Sequence, residues 1–242
     1  MEKLITYETL RKFAYSNDRL CRGPIRGLVI AFHGLNWVNM LSEDPPEALE
    51  FAKKGILYLF PYNNPWAWMN QQAVAFTDEL VDLLFRHYSL PDSLPIVSTG
   101  RSMGGQSALV YTVYARRTPA ACVVNCPVCD LPYHYTERPD LPMSLYSAFF
   151  RFDGTMDEAL RSASPIHLID RMPDIPYTIF HCEKDSAVSK RMHSDRFVEA
   201  ASRLRIRYVA VPDRDHCDLP PEYLADYLNS SAAAIDACCG KK

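Results

Sequence analysis

Three residues of this chain have the types and placement for acyl chemistry: a serine, an acid and a histidine. Each falls where an apolar run gives out. Ser102 lies in Gly100-Arg101-Ser102-Met103-Gly104-Gly105, between the β-prone run Pro95–Thr99 and a helical run from Gln106 to Ala115. A serine at the apex of such a strand–turn–helix junction sits in a strained backbone, with its hydroxyl projecting from the sheet edge. Strand and helix pass close together there, so the neighbours must be almost free of side chain. Three of the chain's nine glycines, Gly100, Gly104 and Gly105, fall in these six residues. Ser107 and Ala108 keep the first helical turn slim. A serine hydroxyl is a poor nucleophile at neutral pH. It needs a base within hydrogen-bond reach, and the base needs an acid to hold its tautomer.

Both partners are expected downstream of Ser102, after later strands. Asp185 follows the run Pro176–His181, in the loop His181-Cys182-Glu183-Lys184-Asp185-Ser186. Catalytic groups and ligands collect at the C-terminal ends of buried strands. Asp185 also suits the cap of a helix starting near Ser189, and Glu183 is the second choice of acid. His216 lies five residues past Val211, in the loop after the last strand. The other histidines fit less well. His87 ends a helix, His181 is in a strand, His193 is in a predicted helix, and His134 and His167 lie in or beside an insertion. The oxyanion of a tetrahedral intermediate needs backbone donors. Met103 N–H at the elbow is one. The loop His33-Gly34-Leu35-Asn36 offers the other at Leu35, where Gly34 allows close approach; His33 reads as a structural hydrogen-bonder. Trp37, Tyr62, Trp66 and Trp68 also follow strand ends, either as a substrate subsite or as core and loop anchors.

The elements that must position these groups alternate. Gly27–Phe32 and Ile56–Phe60 read as buried strands, and Pro95–Thr99, Ala120–Cys126, Pro176–His181 and Arg205–Val211 as the strands that follow. Between them lie predicted helices: one capped by Asp44 and stopped by Gly55, others over Val74–Tyr88 and about Lys190–Leu204, and a last one over about Pro221–Ala237. Residues 4–16 are expected to form an opening hairpin with Leu20–Ile25. Strand–helix alternation predicts the α/β class: one domain over 1–242, with a mostly parallel sheet covered by helices on both faces. The Pro- and aromatic-rich segment 130–170 breaks the alternation. It reads as a small lid-like insertion over the strand ends, or as a helical excursion packed on the core.

The totals exclude several classes. The net charge is −3 over 242 residues and no basic stripe is present, so no nucleic-acid partner is expected. No apolar run approaches the ~18 residues of a membrane span. The start, Met1 to Tyr7, lacks the apolar core of a signal peptide, which points to a cytoplasmic setting. The eight cysteines then read mainly as small buried hydrophobes. Cys126-Pro127-Val128-Cys129 is a C-x-x-C, but no second pair at zinc spacing accompanies it, so neither metal nor redox use is expected. Cys238-Cys239 carry no argument.

His33-Gly34 after a strand, the elbow Gly100–Gly105 and the Asp185…His216 pair together make the chain resemble an α/β-hydrolase. It is similar in particular to the catalytic domain of the prolyl-oligopeptidase family and related bacterial esterases. Ser164-Pro165-Ile166-His167 and Asp174-Ile175-Pro176 resemble that family's run into the acid strand. The resemblance covers about Leu28 to the C-terminus. It implies that Ser102 attacks a carbonyl, that His216 acts as base and then acid, and that Asp185 orients it. No cofactor is required. Oligopeptidases of the family carry an N-terminal propeller, whereas only about 27 residues precede the first buried strand here. That favours ester substrates first and short peptides second. The rivals are a hydrolase-fold binding protein and a cysteine-based metal or redox protein using Cys126 and Cys129. Oligomeric state is left open.

Overall fold

Strands covered on both faces read as unbroken apolar runs, and such runs form the middle of the sheet in the computed structural model, which describes residues 4–240. The seven strands are β1 (Ala14–Ser16), β2 (Gly27–Phe32), β3 (Ile56–Pro61), β4 (Ile96–Arg101), β5 (Ala121–Asn125), β6 (Pro176–Cys182) and β7 (Arg205–Val211). Their spatial order is β1-β3-β2-β4-β5-β6-β7. All neighbouring pairs are parallel except β1 with β3.

Alternate residues of each strand feed two cores, as the two-residue period of a strand requires. Leu28, Ile30, Phe32, Leu57 and Leu59 pack with Leu80, Val81 and Leu84 of α2 (Gln71–His87), Leu109 of α3 (Met103–Tyr114) and Phe197. Val29, Ala31, Ile56 and Tyr58 pack on the other face, with Ala48 and Phe51 of α1 (Pro46–Lys53) and Tyr227 and Ile235 of α8 (Pro221–Cys239). Each fully buried aliphatic or aromatic side chain contributes about 1.5–3 kcal/mol.

Segment 130–170 folds into α4 (Leu131–Glu137), α5 (Leu141–Phe149), α6 (Met156–Ser162) and two short 3-10 turns. Leu131, Leu141, Leu145 and Leu160 bury against Trp68, Val128 and Met103, the residue after Ser102. The insertion is thus a helical cover seated directly on the elbow. Polar bonds fasten it. Gln106 of α3 donates to the carbonyls of Trp68 (3.1 Å) and Ala163 (2.7 Å), Asn70 donates to Ala148 O (2.8 Å), and Arg196 pairs with Asp130 (3.0 Å).

Three local expectations are corrected. The opening hairpin does not form: β1 pairs antiparallel with β3, Tyr15 opposite Phe60, and no strand lies in 20–25. Asp44 does not cap α1. Pro45 occupies that position, and the Asp44 carboxylate instead accepts from Tyr15 Oη at 2.6 Å. The helix expected over 190–204 is a π-helical turn, Arg191–Asp195, continued by the short α7 (Arg196–Ala200). The wider turn carries His193 and Ser194, both fully buried, toward polar partners in the interior.

Candidate active site

The strand order reverses between β2 and β4, and in open parallel sheets the crevice at such a switch point is where ligands sit. Phe32 pairs with Gly100 in register, so the loop His33–Asn36 and the elbow at Ser102 leave the sheet side by side. On the far side, Cys182 pairs with Val211, so the loops carrying Asp185 and His216 also leave together. β5 lies between these two pairs. Its last residue, Asn125, and the next, Cys126, therefore come up between Ser102 and the loops of Asp185 and His216. Ser102 N donates to Asn125 O (3.0 Å), and Cys126 N donates to Phe180 O (2.8 Å).

Ser102 has φ 58° and ψ −125°, a conformation that L-residues rarely adopt. It persists because β4 and α3 are both packed and because Gly100, Gly104 and Gly105 let them approach. A Cβ at Gly100 would fall on the Gly104 carbonyl, and one at Gly105 would lie 3.0 Å from Pro127. Tyr227 of α8 braces the strand from below, donating to Gly100 O at 3.2 Å, with Arg101 over its ring at 5.4 Å. The Ser102 hydroxyl has no hydrogen-bond partner among the described residues. Met103 N, at the start of α3, has no intrahelical acceptor. Gly34 leaves open space: a Cβ there would meet only Arg101 O, at 3.9 Å.

Asp185 and His216 meet. The acid that faces the histidine is Asp185 and not Glu183, which is exposed. Its Oδ2 accepts from His216 Nδ1 at 2.7 Å. Its Oδ1 accepts from the backbone N–H of Ala187 (3.0 Å) and Val188 (2.8 Å), so the turn-capping role and the contact to His216 coexist on different oxygens. His181 supplies a further support that the sequence reading passed over. Fully buried, it lies with Nε2 3.1 Å from Val188 O and 3.2 Å from Asp185 Oδ2, while Nδ1 is 2.6 Å from Ser194 Oγ. Asp215 joins the two loops by accepting from Ser186 N and Oγ, both at 2.9 Å. Burial would raise the Asp185 carboxyl, but bonds from His181 and His216 hold it well below the usual carboxylate range. Burial would lower the His216 imidazole. The bond to Asp185, helped by Cys126, outweighs this and raises it to about 9.

His216 Nε2 faces sulfur, 3.6 Å from Cys217 Sγ. Cys126, Cys217 and His216 bring one ligand atom each within 4.8 Å of one another. The sequence singled out Cys126 through its C-x-x-C. Cys129, however, is buried and bonded to Pro127 O at 3.6 Å, and the neighbours of Cys126 come from the end of β6 and the loop after β7 instead. A second cluster, His134–Glu137–His193, is a fastening. His193 Nδ1 accepts from Cys129 N (3.1 Å) and Asp130 N (3.2 Å), so its Nε2 carries the proton donated to Glu137 (2.9 Å). His134 Nδ1 lies 2.6 Å from the same oxygen. Burial would raise the Glu137 carboxyl, but these bonds depress it strongly.

The aromatic candidates divide. Trp68 is 1% exposed and bonds Ser144 Oγ at 3.2 Å, which makes it an anchor under the insertion and removes it from any solvent-facing subsite. Trp66 Nε1 donates to Asn36 Oδ1 (2.6 Å), Leu41 N donates to Tyr62 Oη (3.1 Å), and Trp37 lies edge-on to Phe60. Together with His33, bonded to Gly34 O and Asn63 O, they hold the loop that carries Leu35. Tyr62 and Trp66 also line a groove of about 900 Å³ with Phe76, Phe149 and Phe150, of which neither Ser102 nor His216 is part. Trp37 lines a smaller cavity of about 250 Å³ beside His33, Gly34, Gly100 and Arg101.

No family model matches the chain, and no curated protein matches it. Solved structures do. A Mycobacterium tuberculosis puromycin-hydrolyzing peptidase aligns with TM-score 0.72 at 16% identity, over 91% of this chain and 35% of that one. Esterase B from Lactobacillus rhamnosis aligns with TM-score 0.67 at 13% identity, over 90% of this chain and 78% of that one. A truncated carbohydrate esterase from gut microbiota aligns with TM-score 0.67 at 15% identity, over 89% and 88%. The chain spans about a third of the peptidase's length. No helix among the described residues is long and apolar enough to cross a membrane. With its strand order, its crevice at the switch point and its strained turn between β4 and α3, the chain has the α/β-hydrolase fold.

Proposed function

We propose that this chain is a serine hydrolase that cleaves carboxylic esters through an acyl-enzyme. The observation that carries the reading is the strained Ser102 at the switch-point crevice, together with a buried Asp185 bonded to His216 at 2.7 Å. In the proposed cycle Ser102 Oγ attacks the substrate carbonyl while His216 Nε2 takes its proton. Asp185 holds the Nδ1–H tautomer and stabilises the imidazolium. The N–H groups of Met103 and Leu35 receive the oxyanion. His216 then protonates the leaving group, and water repeats the sequence to release the acid. No hydrogen bond joins the Ser102 hydroxyl to His216 among the described residues; catalytic hydrogen bonds often tighten only in the Michaelis complex. The likenesses to esterases and to a puromycin-hydrolyzing peptidase support acyl transfer in general. The choice of ester rests on leaving-group chemistry: an amine demands more of the general acid than an alcohol does.

A fluorophosphonate probe followed by mass spectrometry tests the reading. A stoichiometric adduct on Ser102 that disappears in His216→Ala is the expected result; folded protein that takes no label would remove the hydrolase in favour of a binding protein. The pH profile provides a further check. Only neutral His216 can accept the serine proton, so a raised pKa shifts the rising limb to alkaline pH. kcat/KM for a chromogenic ester, corrected for spontaneous hydrolysis, is expected to keep rising above pH 7 with a midpoint near 9. A profile already level at pH 7 would show that His216 does not titrate as described.

A further inference from the structure

Cys126 stands among the strand ends that build the site, and no step of the proposed hydrolysis passes through its sulfur. Its φ is 47°, and this turn sends its sulfur among polar partners. Cys126 Sγ accepts the backbone N–H groups of Cys182 and Cys217, both at 3.4 Å, and lies 3.3 Å from Asn125 Oδ1. Buried Asn125 Nδ2 has no hydrogen-bond partner among the described residues. A flip of that amide would turn it toward the sulfur as a third donor. Converging N–H groups suit a metal-bound thiolate; in the metal-free chain the bond with Cys182 lowers the Cys126 thiol, but Cys217 and burial push it up to about 11.

We infer that Cys126, His216 and Cys217 form a site for one thiophilic divalent cation of the zinc type, and that its occupancy turns the hydrolase off. The inhibitory part rests on the proposed role of His216 as base. Tetrahedral zinc, with Zn–S about 2.3 Å and Zn–N about 2.0 Å, sets a bound sulfur and nitrogen roughly 3.5 Å apart. Cys217 Sγ and His216 Nε2 stand 3.6 Å apart already. Cys126 Sγ lies within 4.8 Å of both ligand atoms. Asp185 on Nδ1 leaves the Nε2 lone pair as the metal-binding one, an acid–histidine–metal relay of the kind that orients ligand imidazoles. Binding replaces two thiol protons and, where His216 is an imidazolium, its Nε2 proton as well; all leave to solvent, so two thiolates, a neutral imidazole and a divalent cation give a neutral centre. Three protein ligands leave a fourth position for water. The metal then occupies the nitrogen that would take the Ser102 proton, and hydrolysis stops without any change in Ser102.

Cobalt(II) added to chelator-treated protein tests the site independently of activity. One equivalent per chain is expected to bind with a thiolate-to-cobalt charge-transfer band, in wild type and in Ser102→Ala alike. The band is expected to disappear in Cys126→Ala and in Cys217→Ala, each checked for folding by circular dichroism. Zinc alone is expected to inhibit ester hydrolysis reversibly, with chelator restoring the rate and magnesium having no effect. In each cysteine variant the half-inhibiting zinc concentration, measured against that variant's own metal-free rate, is expected to rise by about tenfold or more. Absence of the band, or its survival in both folded variants, would overturn the site. Bound cobalt with uninhibited hydrolysis would overturn the switch. A metal-free chain that hydrolyses no ester would sink the proposed function, and the cobalt band would still decide the site.

Discussion

Ser102→Ala is expected to lower kcat for an ester by on the order of 10⁶, leaving the melting temperature close to that of the wild type. The loss is large because a nucleophile, its base and the orienting acid act as a unit; removing one strands the others. The fold is expected to survive because the Ser102 hydroxyl makes no hydrogen bond among the described residues, and alanine meets the same positive φ as serine. Asp185→Asn is expected to cost about 10⁴, because an amide can donate to Nδ1 and so favour the wrong tautomer. Purified variants, assayed at saturating ester and checked by circular dichroism, give the comparison. Cys217 Sγ lies 3.6 Å from His216 Nε2, so the experiment has a sharp alternative. Turnover that survives in Ser102→Ala and vanishes in Cys217→Ala would move the nucleophile to sulfur and end the serine mechanism.

What was legible in the sequence follows from which interactions are local. β2 and β3 read directly, because strands covered on both faces must be apolar at every position. The elbow reads because glycines crowd where a strand and a helix touch. The loop positions of Asp185 and His216 read because parallel strands deliver successive loops to one edge. β1 was misread because a three-residue strand carries too little pattern to name its partner, and β3 begins forty residues further on. Asp44 looked like a cap because a cap is recognised by local spacing, whereas its hydrogen bond goes to Tyr15 across the sheet edge. The π-turn at Arg191–Asp195 answers to buried partners of His193 and Ser194 in other segments.

Cys126 shows the same limit at the site itself. Its motif drew attention to Cys129, three residues on, but the neighbours that matter sit at the end of β6 and in the loop after β7. Strand order alone would have found them: β5 lies between β4 and β6, so its end must rise between Ser102 and Asp185. His181 was set aside as a strand residue. It is one, yet the last residues of a parallel strand are also where side chains reach the C-terminal edge of the sheet, and there it supports Asp185.

Gly104→Ala is expected to destabilise the fold by more than about 4 kcal/mol, enough to leave little native protein. The added Cβ would fall on the carbonyl oxygen of Phe32, 2.7 Å from its carbon and 2.8 Å from His33 O. All of these are backbone atoms at the end of β2, so no rotamer change relieves the contact. α3 would have to lift from the sheet, losing the burial of Leu109 and Tyr111 and dragging Ser102 off its turn. Gly34→Ala is the matched control. It lies one strand end away, and its added methyl would meet only Arg101 O at 3.9 Å. Urea unfolding of both variants separates close packing from a general intolerance of side chains in these loops. A Gly104→Ala protein as stable as Gly34→Ala would mean that β2 and α3 do not approach as described. The space that exposes the Ser102 hydroxyl would then need another origin.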